Sequence, residues 1–379
     1  KAYSPSSQSF QTFSVTYMHS AKVQFLLNDL QGVHRLSSRE ENLARLRSSV
    51  REIQPGQKFE VKDFDPQDAE GIAALFYAVY GETIPVDSVY DPEHYIQANA
   101  DRQMHHIVGR TASGDVVGLH AYFRNPPGKH IMELGSWIVL PSYRNTSLAL
   151  RLVQHSLGNV PDYLGLHVVY TQNVCDHLIS QKVTDRFKAR SCAIELEAMP
   201  SRPDDAPDGA GGRISMIDAF LVRQDIPHAV RLPSVYAAVL EGMYASRGLQ
   251  REFVEDDRPQ GMSRSSVESM DAASLARMTV QAVGTDIAEH IGRFVLESPD
   301  RHIHQVVLPL WQPGVSVAVR AARSVGFFLG GLLPLWDDRD MLLMQKLRTE
   351  PDYSKVQLYT QEAKELLDLI AADRESLAT

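Results

Sequence analysis

The stretch SWIVLPSYRNTSLALRLVQ, residues 136–154, decides how the fold of this chain is interpreted. It begins with an apolar, strand-like run that meets Pro141, and apolar residues return at helical spacing from Leu148. The turn between them carries hydroxyl, amide and guanidinium groups but no carboxylate, although helix N-termini usually favour Asp and Glu. The absence of acid predicts a helix N-terminus that binds an anion.

The composition is that of a folded protein with more than one core. The 379 residues exceed one typical core, so two domains, or one domain with a substantial extension, are expected. The formal net charge of -9 argues against binding to nucleic acid or to an anionic membrane. Cys175 and Cys192 show no paired framework, which fits a reducing compartment, and no apolar run reaches the roughly 18 residues that span a bilayer. We therefore expect a cytoplasmic protein.

Helical and strand-like periods alternate along the chain without a strict βαβ repeat. This pattern predicts an α/β protein with a mixed, mostly antiparallel sheet flanked by helices. The expected irregular regions are 1–20, a loop at 200–213 and a linker at 256–266. The expected helices are 21–53 (capped by Ser37 or Ser38), 65–81, 148–157, 176–191, 233–249, 286–297, 314–324 and one from about Ser354. The expected strands are 58–64, a hairpin at 105–124, 130–140, 166–173, 193–199, 214–222, 276–283, 303–310, 327–333 and 340–347.

This order of elements, together with the turn after residue 140, resembles the GNAT superfamily of acyl-CoA-dependent N-acyltransferases. The acyl-CoA motif of that family is Gln/Arg-x-x-Gly-x-Gly/Ala, and residues 144–149, RNTSLA, fit it with Ser147 where the family prefers glycine. Pro141 and Tyr143 match the usual residues before the motif. The resemblance covers about residues 57–222 and implies a GNAT fold.

The resemblance also implies that acetyl-CoA or another acyl-CoA binds as co-substrate. Backbone N–H groups without helical partners would receive the pyrophosphate, and small residues at positions 147 and 149 would let it approach closely. The resemblance also implies that backbone N–H groups around Ile138 and Leu140 contact the pantetheine amides and the thioester oxygen. The implied donor-binding residues are Ile138, Val139, Leu140, Arg144, Asn145, Thr146, Ser147, Leu148 and Ala149.

The last hundred residues resemble only the second half of a GNAT fold. Gly326-Phe327 occupies the place of the family's Leu-Gly-Phe, which the first domain lacks, and no second acyl-CoA turn precedes it. We expect this degenerate half to share or extend the first sheet, or to form a homodimer. The expected division is an extension at 1–55, a GNAT domain at 56–226, a connecting helix and linker at 227–270 and a degenerate GNAT-like domain at 271–379.

Acyl transfer to an amine needs a base for the ammonium, a stabilised oxyanion and a proton for the leaving thiolate. Single-base GNAT members often carry a glutamate eleven residues before the motif, which implies Glu133 here, unless it faces water or pairs with an arginine. Tyr170 is a candidate acid and His177 a candidate base, with core packing and helix capping as the respective alternatives. Thr184 stands where the family often has a tyrosine acid, so that role is not carried over.

Three tyrosines, Tyr77, Tyr80 and Tyr90, fall where GNAT folds shape the acceptor pocket, although aromatic residues there are more often core. The histidine pairs at 105/106 and 302/304 do not predict a metal site. Adjacent histidines on a strand point to opposite faces, and no third ligand stands at a suitable spacing.

The sequence thus predicts an acyl-CoA-dependent N-acyltransferase that acts by direct transfer on a small amine or amino-acid-like metabolite. Two alternatives stay open. Ser147, Thr184 and the missing Leu-Gly-Phe also fit a GNAT-like protein without chemistry that binds a ligand or regulates a partner. A positive surface near Arg144 or a blocked pyrophosphate site would favour aminoacyl-tRNA or an acyl carrier protein as the donor.

Overall fold

The computed structural model describes residues 38–49, 51–84, 86–201 and 212–377. Of these residues, 38–122 and 135–160 form one compact unit, and 123–134 and 161–377 form a second. The strand Ile131–Val139 contributes residues 135–139 to the first unit and residues 131–134 to the second. The four-part division expected from the sequence stays a prediction.

The first unit packs helices against a small sheet. The spatial order of its strands is β1-β2-β3-β4, and β1 and β2 are antiparallel. Its elements are α1 (Arg39–Ser49), β1 (Phe59–Asp63), α2 (Ala69–Tyr80), α3 (Pro92–Ala100), β2 (Met104–Thr111), β3 (Val116–Phe123), β4 (Ile131–Val139) and α4 (Leu148–Leu157), and a short helix α5 (Val160–Tyr163) follows.

The second unit is built on a larger, mostly antiparallel sheet. Its strands continue from β4 in the order β5-β7-β6-β13-β14-β12-β11-β10, and β8 pairs with β9 separately. Only the β4–β5, β11–β12 and β8–β9 pairs are parallel among the registers described. Its elements are β5 (Val168–Val174), α6 (Ile179–Arg186), β6 (Arg190–Pro200), β7 (Arg213–Val222), β8 (His228–Val230), α7 (Ala237–Arg247), β9 (Arg251–Phe253), β10 (Arg264–Met270), β11 (Leu275–Ala282), α8 (Ile287–Glu297), β12 (Ile303–Pro309), α9 (Val315–Ser324), β13 (Phe328–Leu333), β14 (Met341–Leu347) and α10 (Gln361–Glu375).

Local sequence signals explain where several helices begin. The side chains of Asp65 and Asp68 form a capping box around Pro66, so a short 3-10 turn leads into α2. Ser38 and Glu41 exchange hydrogen bonds in the same way before α1. Gly248, at a φ of +67°, ends α7 in the left-handed conformation that glycine adopts most easily.

The predicted fold class is confirmed, with differences at a few elements. The terminal helix begins at Gln361 rather than near Ser354, because Thr360 is the residue whose side chain caps it. The expected linker 256–266 ends in β10, since a strand with exposed residues on both faces lacks a clear alternation. The helix expected at 21–53 is seen over Arg39–Ser49, whereas residues 21–37 and most of the 200–213 loop lie outside the described residues. In the described part of the chain, every helix is too short or too polar to cross a membrane.

Strands β6 and β13 approach each other very closely where Gly331 pairs with Ala193. Gly331 has a φ of +140°, and a Cβ atom there would lie 2.3 Å from the carbonyl oxygen of Cys192. Only glycine fits this contact, and the strand expected at 327–333 is present as the buried β13, whose pairing with β14 shifts register between Leu329 and Gly331.

Replacing Gly331 by alanine should therefore destabilise the second unit. We expect Gly331→Ala to lower the free energy of unfolding by about 2–4 kcal/mol, because the methyl group overpacks backbone and the φ angle disfavours a side chain. Gly242→Ala is the matched control, since Gly242 lies in α7 with open space around its Cα. Urea denaturation that gives equal stability for the two variants would show that the strands do not depend on this close approach.

Candidate functional site

Hydrogen bonds within the turn after β4, and one to Gln54, fix the conformation of this turn. Residues 141–143 form a 3-10 turn, and the fully buried Tyr143 donates its hydroxyl proton to Gln54 O at 2.7 Å. Thr146 Oγ1 donates to Tyr143 O at 2.7 Å and accepts from the N–H of Leu148 at 3.2 Å. The start of α4 is therefore set before any ligand binds.

Several N–H groups at this helix end have no partner. Within the described ranges, no hydrogen-bond acceptor is found for the backbone N–H groups of Asn145, Ser147, Ala149 and Leu150. No Asp or Glu occurs from residue 134 to residue 161, and Arg144 adds positive charge. Free N–H groups and the helix dipole are the features with which helix N-termini bind anions such as phosphate, and this end of α4 has both.

Serine at position 147 has a backbone conformation that does not depend on glycine. Ser147 has φ −75° and ψ 1°, and a negative φ of this size does not require glycine. The conformational freedom of the family's preferred glycine is therefore not needed at this position. The exposed side chain also leaves the N–H groups of the turn accessible.

The first residue of α4 is held by two glycines of the sheet. Cβ atoms at Gly109 and Gly118 would lie 2.5 Å and 2.9 Å from the side chain of Leu148, which is fully buried. Because Gly109 on β2 and Gly118 on β3 have no side chains, they leave the space that the side chain of Leu148 occupies. This packing fixes the helix N-terminus against the sheet of the first unit.

Further contacts hold α4 along its length. Trp137 of β4 donates its indole N–H to Ala149 O at 3.2 Å. The hydroxyl of Ser156 donates to Leu152 O at 2.8 Å and lies 2.9 Å from Nδ1 of the buried His120. The helix that carries the free N–H groups is therefore bonded to β3 and β4 on its inner face.

Strand β4 is irregular in its middle. Ser136 has a φ of +51°, a left-handed conformation that is rare for serine and marks a local distortion of the strand. Ile138 and Val139 follow as buried residues. The N–H of Leu140 donates to Val117 O at 2.9 Å, so it is not free to bind a donor as the resemblance implied.

Glu133 lies in the half of β4 that belongs to the second unit, opposite Tyr170 of β5. It is 6% exposed and accepts a hydrogen bond from the side-chain amide of Asn125. Neither alternative considered for Glu133, a position facing water or an ion pair with an arginine, matches this environment. A buried carboxylate with a neutral partner is a suitable group to accept a proton.

Tyr170 belongs to a buried polar network of the second unit. Its hydroxyl donates to Asp218 Oδ1 at 2.7 Å, and Gln172 donates to the same oxygen at 2.8 Å. Burial raises the pKa of Tyr170 well above its usual range, and the carboxylate of Asp218 adds to this shift. The tyrosine therefore keeps its proton at neutral pH, and its role as an acid stays a prediction.

The network continues from Gln172 across the sheet. Gln172 also donates to Glu195, which pairs with Arg277 at 2.9 Å and accepts from Gln305 at 2.8 Å. Nothing in the spacing of these residues connects them in the sequence. Their one signal is that each is a polar residue inside a mostly apolar strand.

His177 lies at the start of α6, where its Nδ1 accepts from the N–H of Ile179 at 3.3 Å. This contact matches the helix-capping alternative. Thr184, at the position of the family's tyrosine acid, has its hydroxyl 2.9 Å from Ser180 O and 3.1 Å from Asn173 Oδ1, and it donates its one proton to either acceptor. A role of His177 as a base stays a prediction.

The three candidate wall tyrosines differ in exposure. Tyr77 and Tyr80 of α2 are half-buried. Tyr90 is 0% exposed, and its hydroxyl donates to Gly81 O at 2.8 Å. This position places Tyr90 in the core of the first unit rather than on the wall of a pocket.

The histidine pairs make separate contacts. His105 lies 3.2 Å from Asp63, whereas the buried His106 contacts Asn99, as expected for neighbours on a strand. His302 contacts Glu197 and His304 contacts Ser298. No group of three or more His, Cys, Asp or Glu in the described part of the chain is arranged to hold a metal ion.

Three buried histidines of the first unit should make its stability depend on pH. Burial lowers the pKa of His94 to about 4 and the pKa of His106 to about 3. Burial also lowers the pKa of His120 to about 3, although the Leu152 carbonyl opposes this shift. The unfolded chain takes up protons at its ordinary pKa of about 6.5, so stability present above that pH is lost as the pH falls from about 6.5 towards 4.

We expect the free energy of unfolding to fall by up to about 1.4 kcal/mol per pH unit for each of these histidines. Urea denaturation at a series of pH values between about 7 and 5 measures this slope. His120→Gln should reduce this slope by up to about 1.4 kcal/mol per pH unit, because the variant takes up one proton fewer when it unfolds. An equal slope in the variant and the wild type would contradict the assignment of His120 as a neutral buried group.

Comparison with known proteins identifies one family. The family model described as the acetyltransferase (GNAT) family matches residues 70–187, whereas no curated protein matches the chain. Three of the similar solved structures illustrate the likeness, and each covers less than half of this chain. The spermidine/spermine N-acetyltransferase SpeG from Vibrio cholerae, in mutant form, is 14% identical, and the match covers 44% of this chain and 95% of that chain with a TM-score of 0.35. The ribosomal-protein-S5-alanine acetyltransferase from Vibrio fischeri is 15% identical, with 46% of this chain and 97% of that chain covered and a TM-score of 0.36. An N-acetyltransferase from Staphylococcus aureus Mu50 is 14% identical, with 44% of this chain and 99% of that chain covered and a TM-score of 0.37.

Similarity at this level says nothing about the acceptor. The family match, however, spans the free N–H groups of α4, Glu133 and Tyr170. The predicted enzyme class, an acyltransferase, is therefore confirmed. Residues 70–187 of this chain are a domain of the GNAT acetyltransferase family.

Proposed function

We propose that this protein transfers an acetyl or other acyl group from acyl-CoA to a small amine or amino-acid-like metabolite by direct transfer. The observation that carries the proposal is the set of free N–H groups at the start of α4, inside a GNAT domain. Such a site suits a pyrophosphate, which acyl-CoA carries and a free amine does not. An acyl-CoA bound there would supply the acyl group as an activated thioester.

The residues of the turn fit this donor. The N–H groups of Asn145, Ser147, Ala149 and Leu150 would hold the pyrophosphate, and the half-buried Arg144 would add a positive charge. The hydroxyl of Thr146 is already engaged with the backbone, so its part is to hold the turn. This open, acid-free end also speaks against the alternative in which a blocked pyrophosphate site requires a different donor.

Glu133 is our candidate for the base. The amine must lose a proton before its nitrogen can attack the thioester carbonyl, and a buried carboxylate can take that proton directly or through one water molecule. Asn125 Oδ1 is buried and without a partner among the described residues, while Nδ2 of the same amide bonds Glu133. The amide oxygen thus leaves an acceptor near Glu133 that suits an N–H of the substrate.

The proton for the leaving thiolate could come from Tyr170 or from solvent. Tyr170 holds its proton at neutral pH but donates it to Asp218, so it must break that bond to act as an acid. A cytoplasmic location, absence of nucleic-acid and membrane partners, and a homodimer also stay proposals.

Binding of the donor can be tested by placing an acid at the turn. We expect acetyl-CoA to bind the wild type in the micromolar range by calorimetric titration, and Ser147→Glu to weaken binding by about 100-fold, because a carboxylate repels the pyrophosphate. Gln154→Glu, further along the exposed side of α4, adds the same charge and should bind normally. No binding of any acyl-CoA to the folded wild type would instead favour a carrier-bound donor or a regulatory role.

The base can be tested separately from the donor site. We expect Glu133→Gln to lower kcat about 100-fold or more, with unchanged affinity for acyl-CoA, because glutamine cannot accept the amine proton. The assay follows CoA release with a panel of polyamines and amino acids as acceptors. A Glu133→Gln enzyme with normal kcat would exclude Glu133 as the base, and His177→Gln would be the next variant to measure.

A further inference from the structure

The loop between β13 and β14, residues 334–340, contacts the segment that precedes β4, residues 125–130. The carboxylate of Asp338 accepts from the backbone N–H groups of Lys129 and His130, each at 3.1 Å. The N–H of Gly128 donates to Trp336 O at 3.0 Å. Three successive backbone donors of the segment are thus bonded to one loop that lies far away in the sequence.

The close approach of the two pieces of backbone requires glycine. A Cβ atom at Gly128 would lie 2.8 Å from Asp338 N and 2.9 Å from Trp336 O. The ring of His130 adds a side-chain contact, with Nδ1 3.1 Å from Asp338 Oδ1. Burial pushes the pKa of Asp338 upward, but the two N–H groups and His130 outweigh it, so this pKa is lowered and the carboxylate stays charged.

The 334–340 loop has an unusual backbone. Leu335 and Asp338 have φ angles of +51° and +53°, which cost free energy for residues other than glycine. Asp340 holds the loop by accepting from the N–H of Leu335 at 2.9 Å and pairing with the buried Arg251 at 2.5 Å. Strained backbone persists where surrounding contacts determine it, and it occurs preferentially at functional sites.

The segment held by this loop begins at Asn125, whose amide donates to Glu133. Glu133 itself is fixed by the pairing of β4 with β5. The geometry of the Asn125–Glu133 hydrogen bond therefore depends on where the 125–130 backbone lies. In the same loop, the ring of Trp336 packs edge-on against Tyr170 at 5.0 Å.

We propose that Asp338 is a positioning residue for Glu133. By holding the backbone of residues 125–130, it keeps the Asn125 amide in place to orient the Glu133 carboxylate. This inference rests on the proposed function, in which Glu133 accepts the proton of the amine. It assigns the 334–340 loop, which lies outside the matched family domain, a part in the chemistry.

The test compares Asp338→Asn with Asp337→Asn. Asparagine has the shape of aspartate and tolerates a positive φ, so Asp338→Asn removes the charge and one acceptor without a backbone penalty. The carboxylate of Asp337 makes no hydrogen bond to a described residue, so Asp337→Asn is the same chemical change beside the contact.

For Asp338→Asn we expect kcat to fall about tenfold, the KM for acyl-CoA to stay within about twofold, and amide hydrogen exchange of residues 125–133 to become about tenfold faster. The Asp337→Asn enzyme should match the wild type in kcat, in KM for acyl-CoA and in the rate of amide hydrogen exchange. A merely structural role would change exchange and thermal stability without this split between kcat and KM.

The outcomes separate this inference from the proposed function. A wild type that binds acyl-CoA but acylates no amine would overturn the function, and the inference with it. An active wild type whose Asp338→Asn variant keeps its kcat would overturn the inference alone, whether or not exchange becomes faster. Equal losses in the Asp338 and Asp337 variants would also overturn it, because the effect would then not come from the contact with residues 125–130.

Discussion

The buried pair of Glu195 and Arg277 is the constraint on which the second unit depends. Both side chains are almost fully removed from water, so each needs hydrogen bonds beyond the pair itself to repay its loss of hydration. Gln172 and Gln305 supply these bonds to Glu195. Because the four residues come from β5, β6, β11 and β12, the network fixes the relative position of strands that are distant in the sequence.

The same network reaches the residues that the proposed chemistry needs. Gln172 and Tyr170 share the Asp218 carboxylate, and Tyr170 stands opposite Glu133 on the neighbouring strand. A change in the packing of the later strands would therefore alter the surroundings of both candidates. Polar networks in a low-dielectric interior act over such distances because a single missing partner leaves a costly unsatisfied group.

In the first unit, the proposed donor site is formed by backbone groups and not by a network of polar side chains. There the important groups are backbone N–H donors, and side chains act by holding the helix that presents them. Leu148 packs into the space left by Gly109 and Gly118, and Thr146 fixes the turn. The proposed donor site thus depends mainly on small residues and a free helix end, and the negative φ of Ser147 shows why serine is acceptable there.

The sequence by itself determined the fold class, most helix and strand positions and the acid-free turn that we propose as the donor site. These features depend on residues close together along the chain: the period of apolar positions, caps such as Asp65, and the acid-free motif at 144–149. Only the tertiary structure decided that Tyr90 is core, that the N–H of Leu140 is engaged, and that Asn125 bonds Glu133. Contacts such as that between Asp338 and His130, 208 positions apart, leave no local pattern, because strand pairing and loop packing bring the residues together only after the chain has folded.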